Sequence, residues 1–351
     1  MTQAHTIAII GDRFMRPSFF QDALEALPSV QQRQTRFRQL EFPWPDEPLL
    51  HGQKDTDIEG LKELMGTPQQ VADFVADADI LVNHLGPITE RVLAQCSNLK
   101  LVAVSRGGPV NIDLAAVRAR GLPLVNTPGR NATAVAEFTI GMILAETRLI
   151  TIGHRSLSQG EWRGDIYRSD LTGEELNSLT VGLIGYGQVG SRVVKLLKAF
   201  GCRILVHDPY VALTQEDLQD GVQAVGFEAL LQASDVVSLH ARVTPETMQF
   251  INTRAFALMK RGAYFINTAR GPMVDYAALY QALSSGHLRG AGLETFTQEP
   301  PQADLPLLRL PNVTLTPHIA GSSLKTVRYT AQMVATEVDR HLRGQSPLNP
   351  C

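Results

Sequence analysis

The chain has 351 residues, of which 19% are charged and 44% hydrophobic, and its formal net charge is −3. A chain of this length usually forms two domains rather than one core. The balanced charge, with no basic run, argues against nucleic acid as a partner, and no apolar run approaches the roughly 18 residues of a membrane span. We therefore expect the protein to bind neither nucleic acid nor a membrane.

The cysteines and the N-terminal run bear on the cellular compartment. Cys96, Cys202 and Cys351 show no CxxC spacing and no evident pairing, which favours a reducing environment. The apolar run 7–10 is short and bounded by charged residues, so it predicts a first strand rather than a signal peptide. No HExxH, GxSxG or clustered Cys/His pattern occurs, so no metal site is expected. The predicted location is cytoplasmic.

Strand-like apolar runs alternate with helical patterns in the first part of the chain. The predicted strands are 7–10, 79–82, 99–105 and 122–125, and the predicted helices are 17–27, 68–76 and 112–120. The proline-rich segment 42–48 is predicted to be a loop. This alternation indicates a parallel sheet covered by helices. The first turn, Gly11-Asp12-Arg13, lacks a glycine-rich pattern, so this sheet need not bind a nucleotide.

A second set of six strands follows a predicted linker at 126–129 and a long apolar helix at 132–147. These strands are predicted at 181–184, 204–206, 236–239, 264–267, 291–293 and 313–315. Six strands with helices between them match the size of a dinucleotide-binding fold. A final helix, 323–342, is expected to return to the first domain.

The most informative motif is Gly185-x-Gly187-x-x-Gly190, which joins a predicted strand to a helix. In such a motif the first glycine permits a tight turn, the second lets the backbone approach a pyrophosphate, and the third lets helix and strand pack closely. The helix N-terminus offers free N–H groups and the positive end of its dipole. We predict a dinucleotide site that includes Gln188 and Val189; the alternative is a glycine-rich turn without a ligand.

Asp208 ends the second strand of this unit, 18 residues past the last glycine of the motif. A carboxylate at this place can accept hydrogen bonds from both ribose hydroxyls and repels a 2′-phosphate. The residues that follow, Pro209-Tyr210-Val211, offer no cation for such a phosphate. The sequence therefore favours NAD over NADP.

These patterns together define the predicted fold class. We expect an α/β protein with two doubly wound parallel-sheet domains, in which a Rossmann NAD-binding domain (128–317) is inserted into a flavodoxin-like substrate domain (1–127 and 318–351). The cleft between the domains is the expected active site.

Three runs at predicted strand ends, 267–271, 298–300 and 316–318, contain Arg270, Glu299 and His318. An arginine can hold a carboxylate through two hydrogen bonds and polarise the adjacent carbonyl. A histidine can exchange a hydroxyl proton near neutral pH, and a neighbouring carboxylate orients it. By position alone, each is more often a packed or surface residue than a catalyst, and His240 is a comparable candidate.

The stretch from Gly185 to His318 resembles the D-isomer-specific 2-hydroxyacid dehydrogenase family, and the resemblance extends toward the N-terminus. The matching segments are Gly185-Tyr186-Gly187-Gln188-Val189-Gly190, Leu239-His240 with Thr244-Pro245-Glu246-Thr247, Ile266-Asn267-Thr268-Ala269-Arg270-Gly271, Glu299-Pro300, Thr316-Pro317-His318, Asn126-Thr127-Pro128-Gly129 and Val135-Ala136-Glu137.

The resemblance implies an NAD-dependent oxidoreductase that interconverts a D-2-hydroxy acid and its 2-oxo acid by hydride transfer. It implies that Arg270 binds the carboxylate and carbonyl, that His318 is the general acid/base, and that Glu299 is its partner. It also implies a homodimer and a small-acid substrate. A rival of another class, a dinucleotide-sensing corepressor-like regulator, shares this fold and keeps the same three residues.

The resemblance further implies which residues contact the cofactor and the substrate. The cofactor contacts are Ala241, Thr268, Ala269 and Glu294, besides the glycine motif and Asp208. The substrate loop is 105–109, where Arg106 and the successive N–H groups of Gly107 and Gly108 suit a carboxylate; a solvated loop arginine is the alternative for Arg106.

The chain departs from the family pattern at three places. It has Leu293-Glu294-Thr295-Phe296 where Leu-Asp-Val-Phe is usual, so Glu294 must reach the nicotinamide carboxamide with one more methylene. It has His240-Ala241-Arg242 where His-x-Pro is usual. It has Asn83-His84 where phosphoglycerate dehydrogenases carry a phosphate-binding arginine. Asn83-His84 argue against a phosphorylated substrate. Arg106, Arg242 and His84, with Trp162 as a further candidate, make the expected cleft polar and cationic, which predicts a 2-oxo acid with a hydroxyl group or a second carboxylate, such as hydroxypyruvate or glyoxylate.

Overall fold

The structure is a computed structural model that describes residues 5–44, 49 and 51–351. The chain forms two compact units, one of Met1–Arg130 with Ser323–Cys351 and the other of Asn131–Ser322. The second unit is therefore inserted into the first along the chain. The boundaries expected from the sequence, after residues 127 and 317, precede those of the two units by three and five residues.

The regular elements of the described residues are as follows, in chain order. The strands are β1 (His5–Asp12), β2 (Thr35–Phe42), β3 (Ile80–Asn83), β4 (Leu101–Val104), β5 (Leu124–Val125), β6 (Thr180–Ile184), β7 (Arg203–His207), β8 (Gln223–Ala224), β9 (Val236–Leu239), β10 (Tyr264–Asn267), β11 (Gly290–Leu293) and β12 (Val313–Leu315). The helices are α1 (Pro17–Glu25), α2 (Pro28–Gln31), α3 (Pro68–Val75), α4 (Glu90–Gln95), α5 (Leu114–Ala119), α6 (Ala132–Thr147), α7 (Ile150–Ser158), α8 (Gly190–Lys198), α9 (Gln215–Gln219), α10 (Phe227–Ala233), α11 (Thr253–Leu258), α12 (Tyr276–Ser284) and α13 (Leu324–Leu342). Short 3₁₀ turns lie at Gly164–Tyr167, Leu176–Ser178, Pro245–Thr247, Gly271–Met273 and Pro306–Arg309.

The first unit is built on a parallel sheet whose described strands have the order β2-β1-β3-β4-β5. This is the flavodoxin-like order, whose switch point lies between β1 and β3. Strands β3 and β4 are buried along their whole length, as expected of parallel strands covered on both faces. Helix α13 contributes Val327, Val334 and Val338 to the core on one face of the sheet.

One strand of the first unit was not predicted from the sequence. Strand β2 lies at the edge of the sheet, and most of its side chains are exposed or half-buried, so it lacks the apolar run of a buried strand. Its last residue, Phe42, was expected in the proline-rich loop. Pro43 and Trp44 have no regular structure, and residues 45–48 lie outside the described residues.

The second unit is built on a parallel sheet with the order β12-β11-β10-β9-β6-β7-β8 in the described residues. The order reverses between β6 and β9, which makes this the switch point where open α/β sheets bind ligands. The six predicted strands are present, and β8 is a short addition at the edge with both residues exposed. The predicted class, two doubly wound parallel-sheet domains, is confirmed.

Two kinds of feature are absent from the described part of the chain. Within residues 5–44, 49 and 51–351, no helix combines the length and apolarity needed to cross a membrane. The same residues contain no group of three or more His, Cys, Asp or Glu side chains arranged to hold a metal ion.

Candidate active site

The glycine motif forms the turn between β6 and α8 at the switch point of the second unit. Gly185 has a φ of +104°, and a Cβ there would lie 2.6–2.8 Å from the main chain of His240 and Ala241. A Cβ at Gly190 would collide with the carbonyl oxygen of Gly185. At Gly187, by contrast, a Cβ would meet no atom within 4 Å. The backbone at Gly187 is therefore open to a ligand, while the other two glycines close the turn.

Helix α8 begins at this turn, so its N-terminal N–H groups adjoin the glycine motif. Val189, the residue before its first turn, provides no side-chain cap. The N–H of Ser191 donates to the carbonyl of Gly187 at 3.1 Å, while that of Gly190 has no acceptor among the described residues. Gly190 N–H can therefore bind an anion, and the helix dipole favours negative charge there. The turn and the helix end fit the pyrophosphate of a dinucleotide.

Asp208 is fixed directly after β7 by three backbone donors. Its Oδ2 accepts the N–H of Tyr186 at 2.7 Å, and its Oδ1 accepts those of Tyr210 at 2.8 Å and Val211 at 2.9 Å. Burial alone would raise the pKa of Asp208, but these hydrogen bonds outweigh it and lower the pKa. The carboxylate is therefore ionised at neutral pH and held beside the glycine turn.

The charge of Asp208 gives a prediction about cofactor choice. The wild type should bind NADH more tightly than NADPH, and Asp208→Asn and Asp208→Ala should both narrow the ratio of the two dissociation constants, because repulsion of the 2′-phosphate is removed. Asparagine is the closer variant, since its amide oxygen can still accept the N–H groups of Tyr210 and Val211. Fluorescence titration of both cofactors measures the ratio. A wild type that prefers NADPH, or an asparagine variant with an unchanged ratio, would contradict this role.

His240 follows β9 on the other side of the switch point. Its Nε2 lies 2.9 Å from Ser238 Oγ, and burial lowers the pKa of this half-buried imidazole to about 3. The ring is therefore neutral at physiological pH and does not titrate in the range that acid–base catalysis needs. This lowered pKa disfavours His240 for the acid–base role, and the choice of His318 stays a prediction. The neighbouring Ala241 is half-buried, and its backbone lies against Gly185.

The turn after β10 presents Arg270. Asn267 shapes this turn: its Oδ1 accepts the N–H of Ala269 at 3.0 Å, and its Nδ2 donates to the carbonyl of Arg270 at 3.2 Å. Thr268 is buried, with its hydroxyl 2.7 Å from Thr139 Oγ1. The Arg270 side chain is exposed and donates from Nη1 to the carbonyl of Ala269 at 2.7 Å. Its remaining donors are available for a planar anion such as a carboxylate.

His318 and Glu299 form a direct pair. His318 Nδ1 lies 2.7 Å from Glu299 Oε2, and Glu299 Oε1 accepts the N–H of Phe296 at 2.8 Å. Both side chains remain partly accessible, 37% for His318 and 36% for Glu299. Because an ionised carboxylate only accepts hydrogen bonds, Nδ1 carries a proton, and Nε2 is left to exchange a proton with a ligand.

The charged groups around His318 favour the protonated form of its imidazole. Burial would lower the pKa of His318, but Glu299 and Glu294 outweigh burial and the nearby Arg270, so the pKa is raised. Burial would raise the pKa of Glu299, yet His318 and Arg270 lower it. Histidine, glutamate and arginine therefore lie close enough to influence one another, as the sequence predicted. Their catalytic roles stay a prediction.

Glu294 follows β11 and is only 1% exposed. Its Oε1 accepts the N–H of Ala320 at 2.7 Å, and its carbonyl accepts the N–H of His318 at 3.0 Å. Burial raises the pKa of Glu294, while Ala320 and His318 oppose the rise. The expected contact with a nicotinamide carboxamide stays a prediction; the contact present is with the turn that carries His318.

The first unit has its own polar cluster at the carboxyl ends of its strands. In the loop after β4, Gly107 and Gly108 are exposed, and no acceptor among the described residues takes either N–H. The loop is held by Thr127 N–H, which donates to the carbonyl of Arg106 at 2.9 Å, and by Asn126 Nδ2, which donates to that of Gly107 at 3.0 Å. Arg106 itself forms an ion pair with Glu63.

Sequence reasoning missed a pair at the switch point of this unit. Asp12 ends β1 and His84 follows β3; both are buried and hydrogen-bonded to each other. Burial lowers the pKa of His84 in spite of Asp12, which disfavours the cation expected from the sequence. Arg130 was also missed; burial and then Arg106 lower its pKa to about 10. The strand-end positions of Asp12 and His84 were the available signal.

The fold and the site together define a class: a dinucleotide-binding protein of the Rossmann type with a histidine–carboxylate pair. The sequence model described as "D-isomer specific 2-hydroxyacid dehydrogenase, NAD binding domain" matches residues 140–320. The chain belongs to the D-isomer-specific 2-hydroxyacid dehydrogenase family, and its second unit contains the NAD-binding domain of that family. The resemblance and the NAD-binding assignment made from the motifs are confirmed.

Several relatives of this chain are named after different substrates. A glyoxylate reductase from Korarchaeum cryptofilum is 38% identical over 282 residues, which cover 80% of this chain and 84% of the relative. A D-3-phosphoglycerate dehydrogenase from Methanocaldococcus jannaschii is 37% identical over 281 residues, but the match covers 52% of its length; the chain spans about half of that relative. The crystal structure of the TT0316 protein from Thermus thermophilus superimposes with a TM-score of 0.78 at 30% identity, covering 98% of this chain and 99% of that one.

Proposed function

We propose that the protein interconverts a D-2-hydroxy acid and its 2-oxo acid with NAD as the cofactor. The observation that carries this proposal is the His318–Glu299 pair, 2.7 Å apart, with Arg270 close enough to affect the pKa of both. This set lies in the family's NAD-binding unit. The 185–190 turn and Asp208 would hold NAD, which when bound would supply or accept the hydride.

Each residue of the set has a separate task in this proposal. Glu299 accepts the proton on Nδ1 of His318 and so fixes the tautomer and the ring orientation. Nε2 donates its proton to the carbonyl oxygen during reduction and removes it from the hydroxyl during oxidation. Arg270 binds the substrate carboxylate through two N–H groups and stabilises negative charge on the carbonyl oxygen. The exposed N–H groups of Gly107 and Gly108 offer a further carboxylate site.

A dinucleotide-sensing regulator of the same fold is the rival function. Such a protein needs the cofactor site but does not need turnover. Arg270, Glu299 and His318 are all present, but they favour an enzyme only modestly, because regulators of this kind keep the same three residues. The two functions differ in one observable: a sensor binds NADH tightly and turns over no 2-oxo acid.

We infer that the substrate side chain is polar and lacks a phosphate. Asn83, at the place of the family's phosphate arginine, is buried with its amide bonded to Gly86, and burial lowers the pKa of His84. Arg106 is paired with Glu63, and Arg130 has Asp12 and Glu63 nearby. The positive charges of Arg106 and Arg130 are thus matched by the carboxylates of Glu63 and Asp12. A site without excess positive charge favours a substrate with hydroxyl groups or one carboxylate over a substrate with a doubly charged phosphate.

The substrate prediction is tested by kcat/KM with NADH across glyoxylate, hydroxypyruvate, phosphohydroxypyruvate and 2-oxoisocaproate. Glyoxylate or hydroxypyruvate should give the highest value. Preference for 2-oxoisocaproate would refute a polar site, and preference for the phosphorylated acid would mean that another cation replaces the missing arginine. No turnover of any of the four, with NADH binding intact, would favour the sensor.

We further propose that the protein is a cytoplasmic homodimer. The segment 150–171 exposes large apolar side chains, including Ile150 (57%), Leu157 (59%), Trp162 (84%) and Tyr167 (94%). Exposed apolar surface of this extent is typical of an interaction site. Sedimentation equilibrium at micromolar concentration should give twice the chain mass; a monomer would contradict this assignment.

A further inference from the structure

In the first unit, the segment of residues 61–65 is hydrogen-bonded to the loops that follow β3 and β4. The N–H of Lys62 donates to the carbonyl of Val110 at 2.9 Å, and the N–H of Met65 donates to that of Leu85 at 3.0 Å. The apolar side chains of the segment are buried: Leu61, Leu64 and Met65. Main-chain hydrogen bonds on both sides therefore fix the residues between them.

Glu63 lies between these two hydrogen bonds and has a backbone conformation that residues other than glycine rarely adopt. Its φ is +55°, in the left-handed region. Such a conformation persists only where the surrounding structure holds it, and it often occurs at functional sites. The side chain of Glu63 forms an ion pair with Arg106 in the loop after β4. The strained position thus places a carboxylate against this guanidinium.

The loop after β4 combines this paired guanidinium with open main-chain donors. Gly107 and Gly108 are exposed, and no acceptor among the described residues takes either N–H. The side chain of Arg106 is only 14% exposed, and that of Glu63 is 36% exposed. Successive N–H groups can bind one carboxylate, whereas the charge of Arg106 is already offset. The loop therefore has a site for one carboxylate beside a cation that is occupied.

A second arginine near this loop faces the same carboxylates. Burial and Arg106 lower the pKa of Arg130 to about 10, while Asp12 and Glu63 oppose the decrease. Two guanidinium groups are thus matched by two carboxylates. Removal of the charge at Glu63 would leave one positive charge in excess beside the open N–H groups.

We propose that Glu63 is a specificity-determining residue that occupies the guanidinium of Arg106 and so excludes 2-oxo acids with a second anionic group. A second carboxylate would have to lie beside Glu63 or break the ion pair, and both are unfavourable. A hydroxyl group meets neither obstacle, so the preferred substrate has an uncharged side chain, as in hydroxypyruvate. The inference rests on the proposed function, in which the 105–109 loop binds the substrate.

Glu63→Gln tests this role directly. Glutamine has the shape of glutamate and can still accept a hydrogen bond from Arg106, but it carries no charge. The ratio of kcat/KM for oxaloacetate to kcat/KM for hydroxypyruvate should rise by about 10- to 100-fold, the value of a hydrogen bond to a charged group. An unchanged ratio would overturn the proposal.

Glu63→Gly is the second variant and serves if the glutamine variant does not fold. Glycine adopts a φ of this sign without strain, so the charge is removed without a cost to the backbone. The ratio should rise in this variant as well. A lower kcat/KM for both acids, with the ratio unchanged, would mean that Glu63 only supports the loop, and would contradict the proposal.

Arg106→Gln, combined with Glu63→Gln, identifies the cation that binds the second carboxylate. The gain for oxaloacetate should disappear in the double variant, because the released guanidinium is absent. Two residues in direct contact are expected to show such non-additive effects. A gain that persisted in the double variant would mean that another group binds the carboxylate, and would overturn the assignment to Arg106.

Titration calorimetry with D-malate and D-glycerate in the presence of NADH gives a readout without turnover, because NADH cannot reduce a hydroxy acid. Glu63→Gln should lower the Kd of D-malate by about 10- to 100-fold and change that of D-glycerate less. If the wild type reduced no 2-oxo acid, the proposed function would fail, while this titration would still test Glu63. No gain in D-malate affinity would contradict the proposal whatever the turnover.

Glu59→Gln is the matched control. Glu59 is an exposed glutamate just before the same segment, and its Oε2 accepts the N–H of Asp55 at 2.9 Å. This variant removes an equal charge four residues away, so the kcat/KM ratio and both dissociation constants should be those of the wild type. A gain equal to that of Glu63→Gln would show that the net charge of the unit, and not the ion pair with Arg106, sets the preference.

Discussion

Replacement of His318 by glutamine should lower kcat for reduction of a 2-oxo acid by about 10²–10⁴-fold, the usual contribution of general acid catalysis. Glutamine has a similar reach and can hydrogen-bond to Glu299, but it has no proton to exchange near neutral pH. Steady-state kinetics measure kcat, and fluorescence titration should show unchanged NADH binding.

His287→Gln is the control for this variant. His287 is a half-buried histidine of the same unit whose Nε2 lies 2.9 Å from the carbonyl oxygen of Phe256. Its kcat should equal that of the wild type. A wild-type kcat in the His318 variant would remove this histidine from the mechanism.

The pH dependence should follow from the raised pKa of His318. Reduction needs the protonated imidazole, so its rate should fall as pH rises through that pKa. Oxidation needs the neutral imidazole, so its rate should rise through the same pKa. Because the pKa is raised, both limbs should lie above the range of an ordinary histidine. A limb below that range would contradict the pairing with Glu299.

The second large effect is expected for Arg270→Lys, which should raise KM for the 2-oxo acid by about 10- to 100-fold, the value of a hydrogen bond to a charged group. Lysine keeps the charge but loses the planar fork that binds both carboxylate oxygens. The change in kcat should be smaller than the change in KM, since a cation remains beside the carbonyl.

Arg254→Lys provides a matched control, because Arg254 is an exposed arginine of the same unit paired with Glu228 at 2.6 Å. Its kinetics should be those of the wild type. If Arg270→Lys left KM unchanged, the substrate carboxylate would have to be bound elsewhere.

The buried part of the fold could be predicted from the sequence because parallel strands covered on both faces are continuous apolar runs. The runs at 181–184 and 236–239 are examples, and the strands observed there are buried, except for half-buried Thr180 at the start of β6. Strand β2 and the short β8 lie at sheet edges with many exposed side chains. Their sequences therefore carry no apolar run that distinguishes them from loops.

The candidate site likewise has parts that the sequence predicts and contacts that it does not. The glycine motif and Asp208 are local in the sequence, so their arrangement follows from one strand–turn–helix unit. The Asp12–His84 pair depends on β1 lying beside β3, and the Glu294–Ala320 contact depends on the register of β11 against β12. Neither strand order nor register can be derived from the residues alone, so these contacts were not anticipated.

The central claim is tested most directly by incubating the wild-type protein with hydroxypyruvate and NADH and determining the amount and configuration of the product. We predict stoichiometric oxidation of NADH with formation of D-glycerate. Formation of L-glycerate, or tight NADH binding without product from this acid or from glyoxylate, would contradict it.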